Sequence, residues 1–137
     1  MFKHLLVPVD LSDRNARLLD VALSLARSGG ARVTLLHVVH RISNTSLREF
    51  QAFYRKLERQ SRRKLDAAAR PFVVRGVPIR TAVVIGEPAR EIVRASVAHR
   101  VDLVVMGSHR VRPGGRGWGT TSYKVGIACQ CPILLVK

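Results

Sequence analysis

Apolar residues along this chain come in two textures. Short unbroken runs, rich in Val, Ile and Leu, alternate with longer stretches in which apolar residues recur every three or four positions. The first texture suits strands buried on both faces, the second amphipathic helices. Strands are expected over Lys3–Val9, Ala31–Val39, Val101–Met106 and Ile133–Val136. A third strand in chain order is expected to begin at Phe72–Val74, break around Gly76-Val77-Pro78 and resume over Ile79–Ile85. Helices are expected from an N-cap at Ser12 to about Arg27, from Ser46 to Ala69 or Arg70 with Pro71 as the stop, from Ala89 to His99, and from Thr120 to Ala128. Ser28-Gly29-Gly30 closes the first of these, and Gly86-Glu87-Pro88 leads into the third. Strand, helix, strand with short links is a βαβ unit with a right-handed crossover. Five strands alternating with four helices make one α/β domain over residues 1–137: a doubly wound open sandwich around a mostly parallel sheet.

Such sheets bind ligands beyond the carboxyl ends of their strands, where strand order reverses. Val9-Asp10, Val38-Val39 and Gly107-Ser108-His109 all fall at such ends. Asp10 either accepts from a ribose hydroxyl or caps the helix that starts near Ser12. Main-chain groups at Val38 could meet a base edge. Between Met106 and Thr121 the chain holds Gly107, Gly114, Gly115, Gly117 and Gly119, with Arg110, Arg112 and Arg116 among them. Amides freed by glycine and aimed at a helix N-terminus form an anion site, so a phosphate-bearing ligand is expected on this loop and on Thr120 and Thr121. The loop is neither a Walker P-loop, since G-x-x-x-x-G-K-[ST] is absent, nor the dinucleotide fingerprint G-x-G-x-x-G.

Composition changes the picture in one respect. The 137 residues are 47% hydrophobic, enough for a core without disulfides or metal, and no apolar run reaches the ~20 residues of a membrane span. The charge, however, is +15, from 24 basic and 9 acidic residues. Such a surface attracts polyanions or acidic partners, or is simply solvated. Arg48, Arg55, Arg59, Arg62 and Arg63 supply a basic outer face to the long second helix, opposite the stripe of Leu47, Phe50, Tyr54, Leu57, Ser61, Leu65 and Ala68. Met1–His4 has no signal-peptide architecture, so a cytoplasmic location is expected. Cys129 and Cys131 are read as small packing residues, too close to bridge readily and without a histidine at zinc-site spacing.

Taken together, L-L-V-P-V-D-L-S (5–12), L-L-H-V-V (35–39), G-E-P (86–88), D-L-V-V-M-G-S-H (102–109) and C-P-I-L-L-V-K (131–137) resemble the universal stress protein family along the whole chain. The resemblance implies the doubly wound fold and, for the ATP-binding branch, the motif G-x2-G-x9-G-[ST] after the fourth strand. Gly107 matches its first glycine and Gly119-Thr120 its final pair. Arg110 replaces the second glycine, and the loop is one residue shorter. Gly114, Gly115 and Gly117 could rebuild the cradle in another register, and Arg110 could itself pair with phosphate. On this resemblance Pro8, Val9, Asp10, Val38, Met106, Gly107, His109, Arg110, Gly119, Thr120 and Thr121 line a pocket for ATP, with Mg2+ as a possible companion. It also implies a homodimer joined through the C-terminal strand. A second branch of the family does not bind ATP, and a basic module for an acidic protein or nucleic acid is the alternative function.

No Ser/His/Asp or Cys/His constellation assembles from the sequence, so efficient catalysis is not expected beyond slow ATP hydrolysis. His37 reads as a core or strand-edge residue, and His4, His40 and His99 as surface or element-end residues. Trp118 is read as packing the loop down.

Overall fold

The computed structural model describes residues 1–42, 46, 48–108 and 120–137. Among them five strands and four α-helices follow one another: β1 (His4–Pro8), α1 (Ala16–Gly29), β2 (Arg32–His40), α2 (Gln51–Val74), β3 (Ile79–Gly86), α3 (Pro88–Ala98), β4 (Leu103–Gly107), α4 (Thr121–Ala128) and β5 (Ile133–Val136). The sheet order is β3-β2-β1-β4-β5, and every pair is parallel. This is the expected doubly wound sandwich, with strand order reversing between β1 and β4.

Alternation along each strand builds two cores. Leu5, Val7, Val33, Leu35, Leu103 and Val105 face α1 and α2, against Leu18, Ala22, Leu65 and Phe72. Leu6, Leu36, Val104 and Met106 face α3 and α4, against Ile92, Ala95 and Val125. Each buried aliphatic side chain contributes about 1.5–3 kcal/mol relative to its exposed state. That two-sided burial is why the strands read as unbroken apolar runs.

The long helix departs from expectation at both ends. Ser46 does organise its approach: its hydroxyl accepts from Glu49 N–H at 3.0 Å, and its carbonyl from Phe50 N–H at 3.2 Å. Regular α-helix nevertheless begins only at Gln51. At the other end Pro71 does not stop it, and Phe72–Val74 are helical, not strand. Proline forfeits its own N–H, but the turn beyond it is held by Arg75 N–H on Pro71 O at 3.2 Å. Phe72 is buried in the core. The true stop is Gly76, left-handed at φ 73°, with Val77 N–H reaching back to Phe72 O at 2.9 Å. This is a Schellman motif, completed by burial of Val77.

Two other helices end the same way. Gly30 (φ 62°) is followed by Ala31 N–H on Ala26 O at 2.9 Å, and Arg100 (φ 52°) by Val101 N–H on Ser96 O at 3.0 Å. Ala31 and Val101 are buried. Each stop feeds the chain into the amino end of a strand.

That amino end is closed by side chains. Asp102 accepts from Lys3 N–H at 2.8 Å and His4 N–H at 3.0 Å, tying β4 to β1. Burial opposes ionisation of Asp102, but these N–H groups and its own outweigh it and hold the carboxyl below its ordinary range. Of the two readings for His4, surface or element end, the second holds: it is the first residue of β1, and it is buried. Its Nδ1 donates to His99 O at 2.9 Å, so the neutral ring accepts at Nε2 from the Thr34 hydroxyl at 2.7 Å. Burial and then the charge of Arg32 hold this imidazole below its ordinary value.

Candidate functional site

The carboxyl end of the sheet is built differently. β1 stops at Pro8, while β2 runs on to His40. Leu36 O accepts from Val9 N–H at 2.9 Å, so Leu36 turns its main chain toward β1. Val38, two residues on, turns the same way into the space beyond the end of β1. The sequence expectation for Val38 as a main-chain contact thus has a geometric basis.

After Val9 the chain turns sharply, with Leu11 left-handed at φ 63°. This is uncommon for a residue with a Cβ. Asp10 Oδ1 collects three donors: Ser12 N–H at 2.9 Å, Ser12 Oγ at 2.6 Å and Asn15 Nδ2 at 2.7 Å. Ser12 in turn caps the 3₁₀ turn Asp13–Asn15 that opens α1, accepting from Arg14 N–H at 3.3 Å. Of the two roles considered for Asp10, bracing this turn is the one the geometry displays.

These features enclose a cleft of about 410 Å³ at the switch point, lined from both halves of the chain. From β1, β2 and their loops come Pro8, Val9, Asp10, Leu36, His37 and Val38. From β4 and α4 come Met106, Gly107, Ser108, Thr121 and Ser122. Seven of the expected residues therefore meet here: Pro8, Val9, Asp10, Val38, Met106, Gly107 and Thr121. Thr120 stands one step behind, as the N-cap of α4, with its hydroxyl accepting from Tyr123 N–H at 3.4 Å. His109, Arg110 and Gly119 lie outside the described residues, as do Arg112, Gly114, Gly115, Arg116, Gly117 and Trp118.

At Gly107 a Cβ would meet no atom of the described residues within 4 Å. Gly107 lines the cleft, and glycine there adds no side chain to fill it. The floor is apolar, from Leu18, Ile92 and Met106, and the rim carries Arg14, Arg17 and Lys137. Among the described residues the ion pairs are Arg62–Glu58 and Arg94–Glu91, so none of these rim cations is spent on a carboxylate. Arg14 and Arg17 were not singled out from the sequence. The available signal was their position in the first turn after the Asp10 loop. His37 proves to be more than a strand residue: half-buried, it lines the cleft and donates from Nδ1 to Val9 O at 2.8 Å. In the neutral ring Nε2 is then an acceptor.

Pro88 comes to the cleft through the cap of α3. Glu87 accepts from Ala89 N–H at 3.2 Å and Arg90 N–H at 2.8 Å, and Pro88 sits in the first turn. The Arg90 N–H is the main reason the Glu87 carboxyl lies below its ordinary value. No cluster of three or more metal-ligating side chains occurs among the described residues.

An open parallel sheet wound on both faces, with a largely apolar, cation-rimmed cleft at its switch point, defines a doubly wound α/β domain of the kind that receives ligands beyond its strand ends. The universal stress protein family model matches residues 1–137. This chain belongs to that family. A universal stress protein of Thermus aquaticus is 33% identical over 141 residues, covering all of both chains. The solved structure of protein MJ0577 of Methanocaldococcus jannaschii matches with a TM-score of 0.87 at 27% identity, covering 100% of this chain and 96% of that one. More distant structures share the fold: a universal stress protein of Archaeoglobus fulgidus in complex with dAMP (TM-score 0.72, 20% identity, 98% of each chain). Another, in complex with cAMP, has a TM-score of 0.69 at 21% identity and covers 98% of this chain and 96% of that one.

Proposed function

We propose that this protein acts in the stress response by binding an adenine nucleotide, ATP with Mg2+ foremost, in the switch-point cleft, as a sensor or switch without efficient turnover. The observation that carries the reading is the cleft itself: glycine at Gly107, an apolar floor, main-chain groups of Val38 turned inward and rim cations with no ion-pair partner among the described residues. The base would lie toward Val38 and His37, where Nε2 can accept from an exocyclic amine. The phosphates would lie toward Thr120, Thr121 and the N-terminus of α4, where unsatisfied N–H groups favour anions. Arg14, Arg17 and Lys137 would add charge. The dAMP and cAMP complexes of family members support the choice of adenine. The test is mass spectrometry of small molecules released from the denatured, freshly purified protein. Release of ATP or another adenine nucleotide in near-stoichiometric amount is expected; failure to find any, together with failure to load one, contradicts the reading.

The same proposal has the whole chain as one nucleotide-binding domain, working in the cytoplasm as a homodimer. β5 is an edge strand whose Leu134 and Leu135 are 38% and 44% exposed, an apolar edge that a second copy would cover. Among the described residues no helix is long and apolar enough to cross a membrane.

One observation favours a second reading. Arg55, Arg59, Arg62 and Arg63 are all exposed on α2, and of these only Arg62 has an ion-pair partner among the described residues. A basic interaction module for nucleic acid or an acidic protein would use this face. Its binding to DNA or RNA would weaken steeply with salt, and absence of binding at low salt would remove the nucleic-acid form of it.

A further inference from the structure

The two cysteines, expected only to pack, stand in a more specific relation. Cys129 leaves α4 with its N–H on Val125 O at 2.8 Å and an extended ψ of 138°. That turn swings its sulfur to 3.5 Å from the sulfur of Cys131, van der Waals contact between two free thiols. On its other side the Cys129 thiol lies 3.5 Å from Ser96 Oγ in α3, whose own hydroxyl donates to Val93 O at 2.7 Å. Both cysteines are partly exposed, so a small molecule can reach them. We propose that Cys129 and Cys131 form a peroxide-responsive dithiol, in which a hydroperoxide oxidises Cys129 and Cys131 closes on it as an intrachain disulfide.

The surroundings divide the labour between the two. Burial opposes ionisation of Cys129, but the N–H groups of Cys131 and Gln130, joined by the Ser96 hydroxyl when it turns from Val93 O to the sulfur, outweigh it and hold this thiol below its ordinary value. Burial, then the Cys129 hydrogen bond and charge, push Cys131 up to about 11. Cys129 is therefore the attacking thiolate, and Cys131 keeps its proton until it resolves the product. In the first step the Cys129 sulfur attacks one peroxide oxygen and the O–O bond breaks. The other oxygen leaves with a proton as water or alcohol, and Cys129 becomes a sulfenic acid. In the second step Cys131 sulfur, losing its proton, attacks the sulfenyl sulfur; the S–S bond forms and water leaves. Two electrons pass from two thiols to one peroxide. A small thiol reverses the change by exchange. The ring encloses a single intervening residue, Gln130, and Pro132 restricts the backbone beside it, so the disulfide should be of the labile, regulatory kind.

The full chain treated with stoichiometric hydrogen peroxide, then alkylated, should be about 2 Da lighter and carry no alkyl group, and dithiothreitol should restore it. Tryptic cleavage after Lys124 isolates both cysteines in one peptide, 125–137, in which the mass change should reside. Cys131→Ser should trap a dimedone-reactive sulfenic acid on Cys129, while Cys129→Ser should react far more slowly. Doubly alkylated protein, higher oxides without a disulfide, or only intermolecular disulfides would overturn the proposal. So would equal rates for the two serine variants. The native chain should also outpace the same chain in urea; equal rates would show that the folded geometry plays no part.

Discussion

The two ends of one sheet have opposite characters. At the amino end, side chains close on the backbone: Asp102 bonds the first amides of β1, and His4 bridges Thr34 and His99. Three helices are stopped there by left-handed residues. At the carboxyl end, β1 is short, Gly107 offers no side chain, and a cleft of about 410 Å³ separates the halves of the chain. Hydrogen-bonding capacity satisfied inside the protein contributes to stability. Capacity turned toward a cleft is held for a ligand, and the cations at its rim carry a charge cost until one arrives. The two ends should therefore come apart under mutation, the one losing stability and the other losing affinity.

The largest effect is expected at Gly107. Gly107→Val adds a side chain to the cleft lining where a Cβ meets no atom of the described residues, so folding should be preserved while the space a nucleotide needs is filled. ATP affinity should fall by roughly 100-fold or more, about 2.7 kcal/mol, with Tm within a degree or two of wild type. At the opposite end Asp102→Ala leaves the N–H groups of Lys3 and His4, at the entry to β1, without their carboxylate and should cost about 2 kcal/mol in urea unfolding, with ATP affinity unchanged. Replacing Arg14 and Arg17 together by alanine should weaken ATP about tenfold and adenosine little, and raising salt should shrink the difference. Equal loss for ATP and adenosine would move the phosphates elsewhere. The smallest change is a gain: Arg100→Gly removes a Cβ from a left-handed helix stop and should raise stability by about 1 kcal/mol, read as a higher urea midpoint.

Acid should also act on the closed end. His4 is held below its ordinary pKa, so the folded chain resists a proton that the unfolded chain accepts. Its contribution is complete above pH 6.5 and falls as the pH drops below that value. Asp102 at this end, and Glu87 at the cleft end, both depressed, lose their contributions in still more acidic solution, as pH falls from the ordinary carboxylate range through their folded values. A His4→Gln variant should show a flatter Tm profile from neutral pH down to the onset of carboxylate titration; an unchanged slope would remove His4 as the cause.

The five strands, the four helices and their doubly wound arrangement could be read from periodicity, because two-sided burial writes unbroken apolar runs. The side on which a cleft opens could be read from strand ends, because parallel strands deliver them to one side; the order of the strands was not read. What the sequence misassigned has particular causes. Proline and a β-branched pair made 71–74 look like a stop and a strand, whereas a buried Phe72 and a left-handed Gly76 set the actual end of α2. His4 was placed at an element end or the surface, and its burial was not legible because its partner, Thr34, is a cross-strand neighbour thirty residues away. Arg14 and Arg17 carry no local motif, and they reach the cleft only because Leu11 turns the chain back over β1. The helix cap at Thr120 and the glycine at Gly107 were legible because cap and glycine chemistry is local.

The account stands most directly on a calorimetric titration of ATP with magnesium into nucleotide-free protein, run beside Gly107→Val. It predicts saturable binding with about one nucleotide per chain for the wild type and loss of the signal in the variant, whose thermal unfolding is otherwise normal. Undiminished binding in a well-folded Gly107→Val protein, or no heat from a folded wild-type chain, would contradict it.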